Sequence, residues 1–292
     1  MKKFLVFAAL AAMVITSCNQ NKIDYGENNG PQPKIEKAAN ASHAKKVVVT
    51  GEPKLKLGIE KFEATDGGRF CIEKTVVAKA DGDVEYITGT YVFSDGVYTL
   101  YVDGKLFGTV KIDGSVIEFN LEGEDTVSGT GEEEDKLPGS DVVDAFAQTW
   151  IIDKIDVSIV ADGKNIGFTK PGCDLPAIAE EIKKQAESLG VTVNLDMTQF
   201  KGMKVTYLSL TSSGSLIIEF EDAKTIKAEV SGLDVSAGTF HYDVQASSGN
   251  QIINASADCK FEAKSQTEAW LTVSITIDEG SKGRVIFMMK KA

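Results

Sequence analysis

The 292-residue sequence predicts an all-β, mainly antiparallel protein with one amphipathic helix, built as an N-terminal β-meander followed by a second β unit, a barrel or a sandwich. Three observations carry this. Asp-Gly pairs recur at 81–82, 95–96, 103–104 and 113–114, and Asp-Gly supplies the positive φ angles of tight hairpin turns. Apolar and polar residues alternate with a period of two in most segments between turns. Helical spacing is convincing in only one stretch, residues 175–189.

In residues 47–122, Ile117, Phe119 and Leu121 alternate with Glu118, Asn120 and Glu122, which directs one face to a core and the other to water. Tyr98, Leu100 and Val102 share a face, but Val97, Thr99 and Tyr101 opposite them are only slightly more polar. That strand is expected to be covered on both sides, by contact between the two halves. Residues 123–140 contain Gly129-Thr130-Gly131 and the run Glu132-Glu133-Glu134-Asp135, and they show no period. They lack the alternating oxygen ligands and central glycine of a calcium loop, so the acidic run reads as solvated linker. The expected division is a β-meander domain at 47–128, a linker at 129–140 and a second β domain at 141–292.

The second domain opens with a strand at 150–160, followed by a loop. Asp174 is placed to cap the helix and Pro176 suits its first turn. Leu175, Ile178, Ala179, Ile182, Ala186 and Leu189 recur at helical spacing before Gly190 stops the helix. Strands are then expected at 203–210, 215–220, 225–230, 239–245, 251–255, 258–264, 269–277 and 284–290. With the Trp150 strand, eight or nine strands fit a closed or nearly closed barrel, which removes exposed sheet edges. Gln148-Thr149-Trp150 at the first strand and Arg284 at the start of the last resemble the lipocalin-like (calycin) barrels found in lipoproteins of Bacteroides and relatives. Those barrels carry Gly-X-Trp in the first strand, often covered by an arginine from the barrel's end; the glycine is absent here. The resemblance covers residues 141–292 and implies Trp150 and Arg284 as ligand-binding residues. A β-sandwich with Trp150 as a core residue is the alternative.

The chain opens with Lys2 and Lys3, an apolar stretch at 4–15, then Thr16-Ser17-Cys18. About a dozen apolar residues fall short of the roughly 20 that span a bilayer, so residues 1–17 read as an export signal. Ile15-Thr16-Ser17-Cys18 resembles the lipobox of bacterial lipoproteins, which implies cleavage before Cys18 and lipidation of its thiol. Asn19 is not the aspartate that retains lipoproteins in the inner membrane, so an outer-membrane anchor is expected, with the membrane face open. Residues 18–46 are polar and aperiodic and read as a flexible tether.

Charge and motifs bound the function. The chain carries 31 basic and 43 acidic residues; without Lys2 and Lys3 the balance is 29 against 43, or −14. That sign argues against a nucleic-acid partner. Beyond Cys18, three cysteines remain, Cys71, Cys173 and Cys259, none in a CxxC pair. A Cys173–Cys259 disulfide is one reading, three buried thiols the other. No catalytic or cofactor motif stands in a supporting context, so no enzyme activity, metal or cofactor is expected. His43 falls in the tether, and His241 shares the solvent face of its strand with Asp243 and Gln245. Asp125-Thr126-Val127 resembles the short acceptor used for O-glycosylation of exported Bacteroides proteins, which implies Thr126 as a glycosylation site. The expected function is a membrane-anchored envelope lipoprotein that binds a small apolar ligand or a glycan. The alternative is a structural or adhesive surface subunit acting through protein–protein contacts, with outer-membrane proteins as partners.

Overall fold

A computed structural model of the chain describes residues 35–75, 84–161, 163–190, 200–222, 224–234, 236–248, 251–278 and 281–292. The expected signal segment, Cys18 and the Asp81-Gly82 turn lie outside them. Strands β1 (Lys45–Gly51), β2 (Ile59–Ala64), β3 (Arg69–Thr75), β4 (Val84–Ser94), β5 (Val97–Val102), β6 (Lys105–Asp113), β7 (Val116–Leu121) and β8 (Val127–Glu133) follow one another around a closed antiparallel barrel. The expected meander therefore curls fully, and β8 returns to β1 with Val49 opposite Gly131 and Gly51 opposite Gly129. Asp95-Gly96 and Asp103-Gly104 adopt positive φ at both positions, the hairpin geometry their composition demands.

Closure corrects the expected linker. Residues 129–133 belong to β8, and the connection between the barrels is residues 134–140. The glycines that suggested a boundary are there for space: a Cβ on Gly129 would lie 2.2 Å from the Thr50 carbonyl oxygen and 2.7 Å from Pro53 Cδ. Pro53 belongs to helix α1 (Glu52–Leu57), which periodicity missed because six residues are too few to show it. The acidic run is partly engaged rather than solvated, since Glu134 pairs with Lys46 at 2.7 Å and Lys61 at 3.3 Å.

The second unit comprises α2 (Asp141–Phe146), β9 (Thr149–Ala161), β10 (Lys164–Pro171), α3 (Leu175–Ser188), β11 (Val205–Leu210), β12 (Ser215–Phe220), β13 (Thr225–Asp234), β14 (Thr239–Ser248), β15 (Gln251–Ala263), β16 (Glu268–Asp278) and β17 (Ser281–Lys291). β17 pairs back to β9 along most of its length, while Thr149 and Trp150 at the start of β9 pair with β11. Eight strands therefore close a barrel, and β10 extends the sheet beside the far half of β9. Residues 164–171 were expected as loop, and 251–255 with 258–264 as two strands; the latter form the single strand β15. The helix matches its expectation within a residue. The Asp174 carboxylate accepts from the Ala177 amide at 3.0 Å, and Leu175, Ile178, Ala179, Ile182 and Ala186 are buried in the same cluster as the barrel's inward residues.

Residues 35–44 are not tether. Ile35 is 3% exposed and joins the second barrel's core, and the Glu36 carbonyl accepts from Gln148 Nε2 at 3.0 Å and Lys291 Nζ at 3.3 Å. Seven residues beyond Glu36, His43 stacks on Phe93 at 4.3 Å and its carbonyl accepts from the Tyr98 hydroxyl at 2.8 Å. The segment is a strap from one barrel to the other. It is held through main-chain carbonyls and small side chains, which leave no periodic signal in the sequence.

Candidate functional site

Among the described residues, the inward faces of both barrels are apolar, the reverse of a water-filled membrane pore. In the first, Phe62, Phe70, Tyr98, Leu100, Ile117 and Phe119 fill the interior. In the second, Trp150 is fully buried, its indole N–H donates to the Phe146 carbonyl at 3.2 Å, and its ring packs 5.8 Å from Phe261. The ligand role expected for Trp150 and Arg284 as a pair is corrected by strand phase. Val285, Phe287 and Met289 point inward with Trp150, so Arg284, out of step with them, lies on the outer face. Trp150 is a filled-core residue. The bridge considered for Cys173 and Cys259 is not formed: Cys71, Cys173 and Cys259 are buried free thiols, and burial pushes those of Cys71 and Cys173 up to about 12.

The densest chemistry lies between the barrels. On the first, Lys46, Glu63, Cys71 and Thr88 are successive neighbours in register across β1, β2, β3 and β4, all on the outer face. On the second, Thr225, Lys227 and Glu229 project outward from β13, opposite the phase of the buried Ala228. Thr225 meets Thr88 at 3.4 Å, Lys227 meets Glu63 at 2.7 Å and Glu229 meets Lys46 at 2.7 Å. Two steps of about 6.8 Å along β13 thus span three strand spacings of about 4.8 Å, which requires β13 to cross the four strands nearly at a right angle. Arg69 on β3 adds a bidentate bond to Glu219 on β12, both contacts 2.5 Å, with its guanidinium 4.1 Å from the centre of the Tyr207 ring.

Glu63 is 0% exposed and Lys227 3% by side chain. The Glu63 carboxylate also accepts from Thr211, Ser213 and Ser215 hydroxyls at 2.9, 2.7 and 2.9 Å. Burial opposes its charge, but Lys227, Ser213 and Lys46 outweigh burial and hold its carboxyl below the ordinary value. Lys227 approaches at ion-pair distance but with poor hydrogen-bond alignment, so charge carries the contact. Burial opposes its protonated form too, and Glu63 again prevails and raises its pKa. Asp66, alongside, accepts from the Ser212 amide at 2.7 Å, and burial raises its pKa. Every charge but Asp66 faces an opposite charge, so the cluster is an interlock; its one thiol, Cys71, is buried, and among the described residues no group is arranged to hold a metal. The second barrel docks on β1 to β4, not on β5 as expected for Tyr101, whose face is only half buried. Sequence reading missed the cluster because its partners are far apart in the chain.

Elsewhere the surface holds little chemistry. His241 is exposed, on the outer face as expected, with Nδ1 2.6 Å from Asp258. Thr126 is exposed between β7 and β8, open to an approaching enzyme. Among the described residues no group of three or more His, Cys, Asp or Glu is arranged to hold a metal, and no helix is long and apolar enough to cross a membrane. An open hollow of about 460 Å³ beside the strap is lined by Ile35, Glu36, Lys37, Asp141, Asp144 and Gln266, and Lys37 and Asp144 pair there at 2.9 Å. The outer face of β4 to β7 has a different character. Val92, Thr99, Thr109 and Asn120 lie side by side in register, with Thr90 and Tyr101 paired next to them. None is charged, and Val92 is 58% and nearby Leu106 45% exposed.

No family model matches the chain, and no curated protein matches it. Among solved structures, transferrin binding protein B from Haemophilus parasuis, a tryptophan-to-alanine mutant, is similar with a TM-score of 0.26 and 9% identity over 80% of this chain and 53% of that one. Isotype 1 of the same protein from serogroup B Neisseria meningitidis gives 0.22 and 14%, over 85% and 43%. A DUF3598-family protein of unknown function from Nostoc punctiforme gives 0.20 and 8%, over 85% and 95%. The chain spans about half the length of the transferrin binding proteins. At these TM-scores the likeness carries no argument, and the fold rests on the strand pairing itself.

Proposed function

We propose that the protein is a lipid-anchored envelope protein that binds another protein through the outside of its barrels. The observation that supports this is the aromatic packing inside both barrels: among the described residues, Trp150 packs on Phe261 in one and Phe62 on Phe119 in the other, each fully buried in a core of apolar side chains. The uncharged face around Val92, Thr99 and Tyr101 is the surface best suited to a protein, since interfaces deplete charge at their centre and favour aromatic residues. On a chain of net charge −14 from residue 4 onward, such a face is also where a partner meets least repulsion.

Two experiments test the reading. A photo-crosslinking residue at Val92 or Thr99 in the native envelope is expected to give a discrete protein adduct, and the same residue at Glu124 to give none. Saturable binding of a fluorescent fatty acid by the purified chain, with no adduct at either face position, reverses the assignment. The anchor is tested separately. Labelled palmitate is expected to enter the protein and Cys18→Ala to abolish it, because only the cysteine thiol accepts the diacylglycerol; labelling that persists in the variant removes the anchor.

A further inference from the structure

We infer that the contact between the two barrels is a reversible ionic latch, and that the barrels part as intact bodies while each keeps its fold. Each barrel closes its own hydrogen-bond ladder, so neither needs the other to satisfy a strand edge. Their apolar cores are separate: one holds residues 47–127, the other residues 143–289 with Ile35 of the strap. Between them lie Glu63–Lys227, Arg69–Glu219, Lys46–Glu229, Thr88–Thr225 and the bond from Ser212 to Asp66, with Ile217 and Cys71 as the buried apolar members.

An interface of this composition separates at little cost. A hydrophobic contact loses its stabilisation on opening, whereas buried ions regain the hydration they gave up, which nearly offsets their mutual attraction. Relative motion is the expected behaviour of domains joined by a polar contact. Residues 134–140 and the strap carry the chain across the gap, and the strap meets the first barrel through the His43–Phe93 stack, the Tyr98 hydrogen bond and the buried Ala41 and Ala44 before it runs into β1. Opening would uncover two charged faces, Lys46, Glu63 and Arg69 on one and Glu219, Lys227 and Glu229 on the other.

The chain carries its own reporter. Cys71 points outward from β3 into the joint and is 1% exposed, whereas Cys173 and Cys259 lie in the second barrel's core. Opening without unfolding therefore exposes one thiol of three. The full chain with Cys18→Ser is treated with a disulfide-exchange reagent at about pH 8, and the thiols that react are counted against time. The expected result is one thiol reacting at least tenfold faster than the other two. That phase should disappear in Cys71→Ser and quicken several-fold as salt screens the Lys46–Glu229 pair, whose glutamate is half exposed. Lys227→Glu, which sets a second carboxylate against Glu63, is expected to lengthen the particle in small-angle scattering while strand circular dichroism is retained. Three thiols reacting at one common rate in the unsubstituted joint would show that it opens only with global unfolding and would overturn the latch. So would a fast phase that survives Cys71→Ser, since it would come from a barrel core. The wild-type kinetics decide the matter even where Lys227→Glu does not fold.

Discussion

In the Trp150→Ala variant the second barrel is expected to melt about 6–20 °C below wild type, from a loss of roughly 3–5 kcal/mol at roughly 2–4 °C per kcal/mol for a unit of this size. Trp150 is the largest fully buried side chain in the protein, and its ring, its N–H and its neighbours Phe146 and Phe261 all have contacts to lose. Had it lined a ligand cavity, truncation would cost little stability and would act on ligand affinity instead. Trp270, the chain's other tryptophan, sits on the outer face of β16 and reports the unfolding of that barrel by fluorescence. The first barrel has no tryptophan, and its melting, followed through its tyrosines, should be unmoved. A shift below about 2 °C would mean a loosely packed interior and would return the small-ligand reading to consideration.

What the sequence conveyed and what it hid differ in range. Asp95-Gly96, the Ile117-Phe119-Leu121 alternation and the Asp174 cap act within a few residues, so turns, strand faces and the long helix were readable from their own surroundings. Helix α1 is too short for a period, and the strap is held by carbonyls, which every residue has. Ala255-Ser256-Ala257, small and polar in the middle of β15, looked like a break between two strands because nothing local says that β14 pairs across it. The joint was the least legible part. Ile226-Lys227-Ala228-Glu229 alternates as a solvated strand does, and Phe62-Glu63-Ala64 does too; a charge facing water and one facing an opposite charge on a distant strand leave the same local pattern. The thiols show the same limit, since chain spacing gave no measure of which of them share a core.

The joint's charges should therefore prove coupled in a way no single-site reading shows. Glu63→Gln leaves Lys227 buried without its counter-charge, and Lys227→Met leaves Glu63 likewise, each costing up to about 3–5 kcal/mol if the joint stays shut. Because the latch can open, most of that cost should appear as lost protection of Cys71, with less appearing as a lower melting temperature for either barrel. The double variant removes both charges and should recover Cys71 protection to within about 1 kcal/mol of wild type, giving a coupling energy of at least about 2 kcal/mol, near the upper end for residues in direct contact. The pH dependence has a matching sign. The lowered pKa of Glu63 means that its contribution is present above the ordinary carboxylate value and is lost as pH falls through the lower folded value. Lys227, raised, contributes below its ordinary value and loses that contribution only as pH rises through the higher folded one. Asp66 runs the other way on the acid side, since its raised pKa means that protonation relieves an unfavourable buried charge. Protection of Cys71 should thus hold across the neutral range and fail in acid below the ordinary carboxylate value, and in the double variant the acid limb should shrink. Additive single effects, or an acid limb unchanged when both charges are gone, would show that Glu63 and Lys227 do not hold the barrels together.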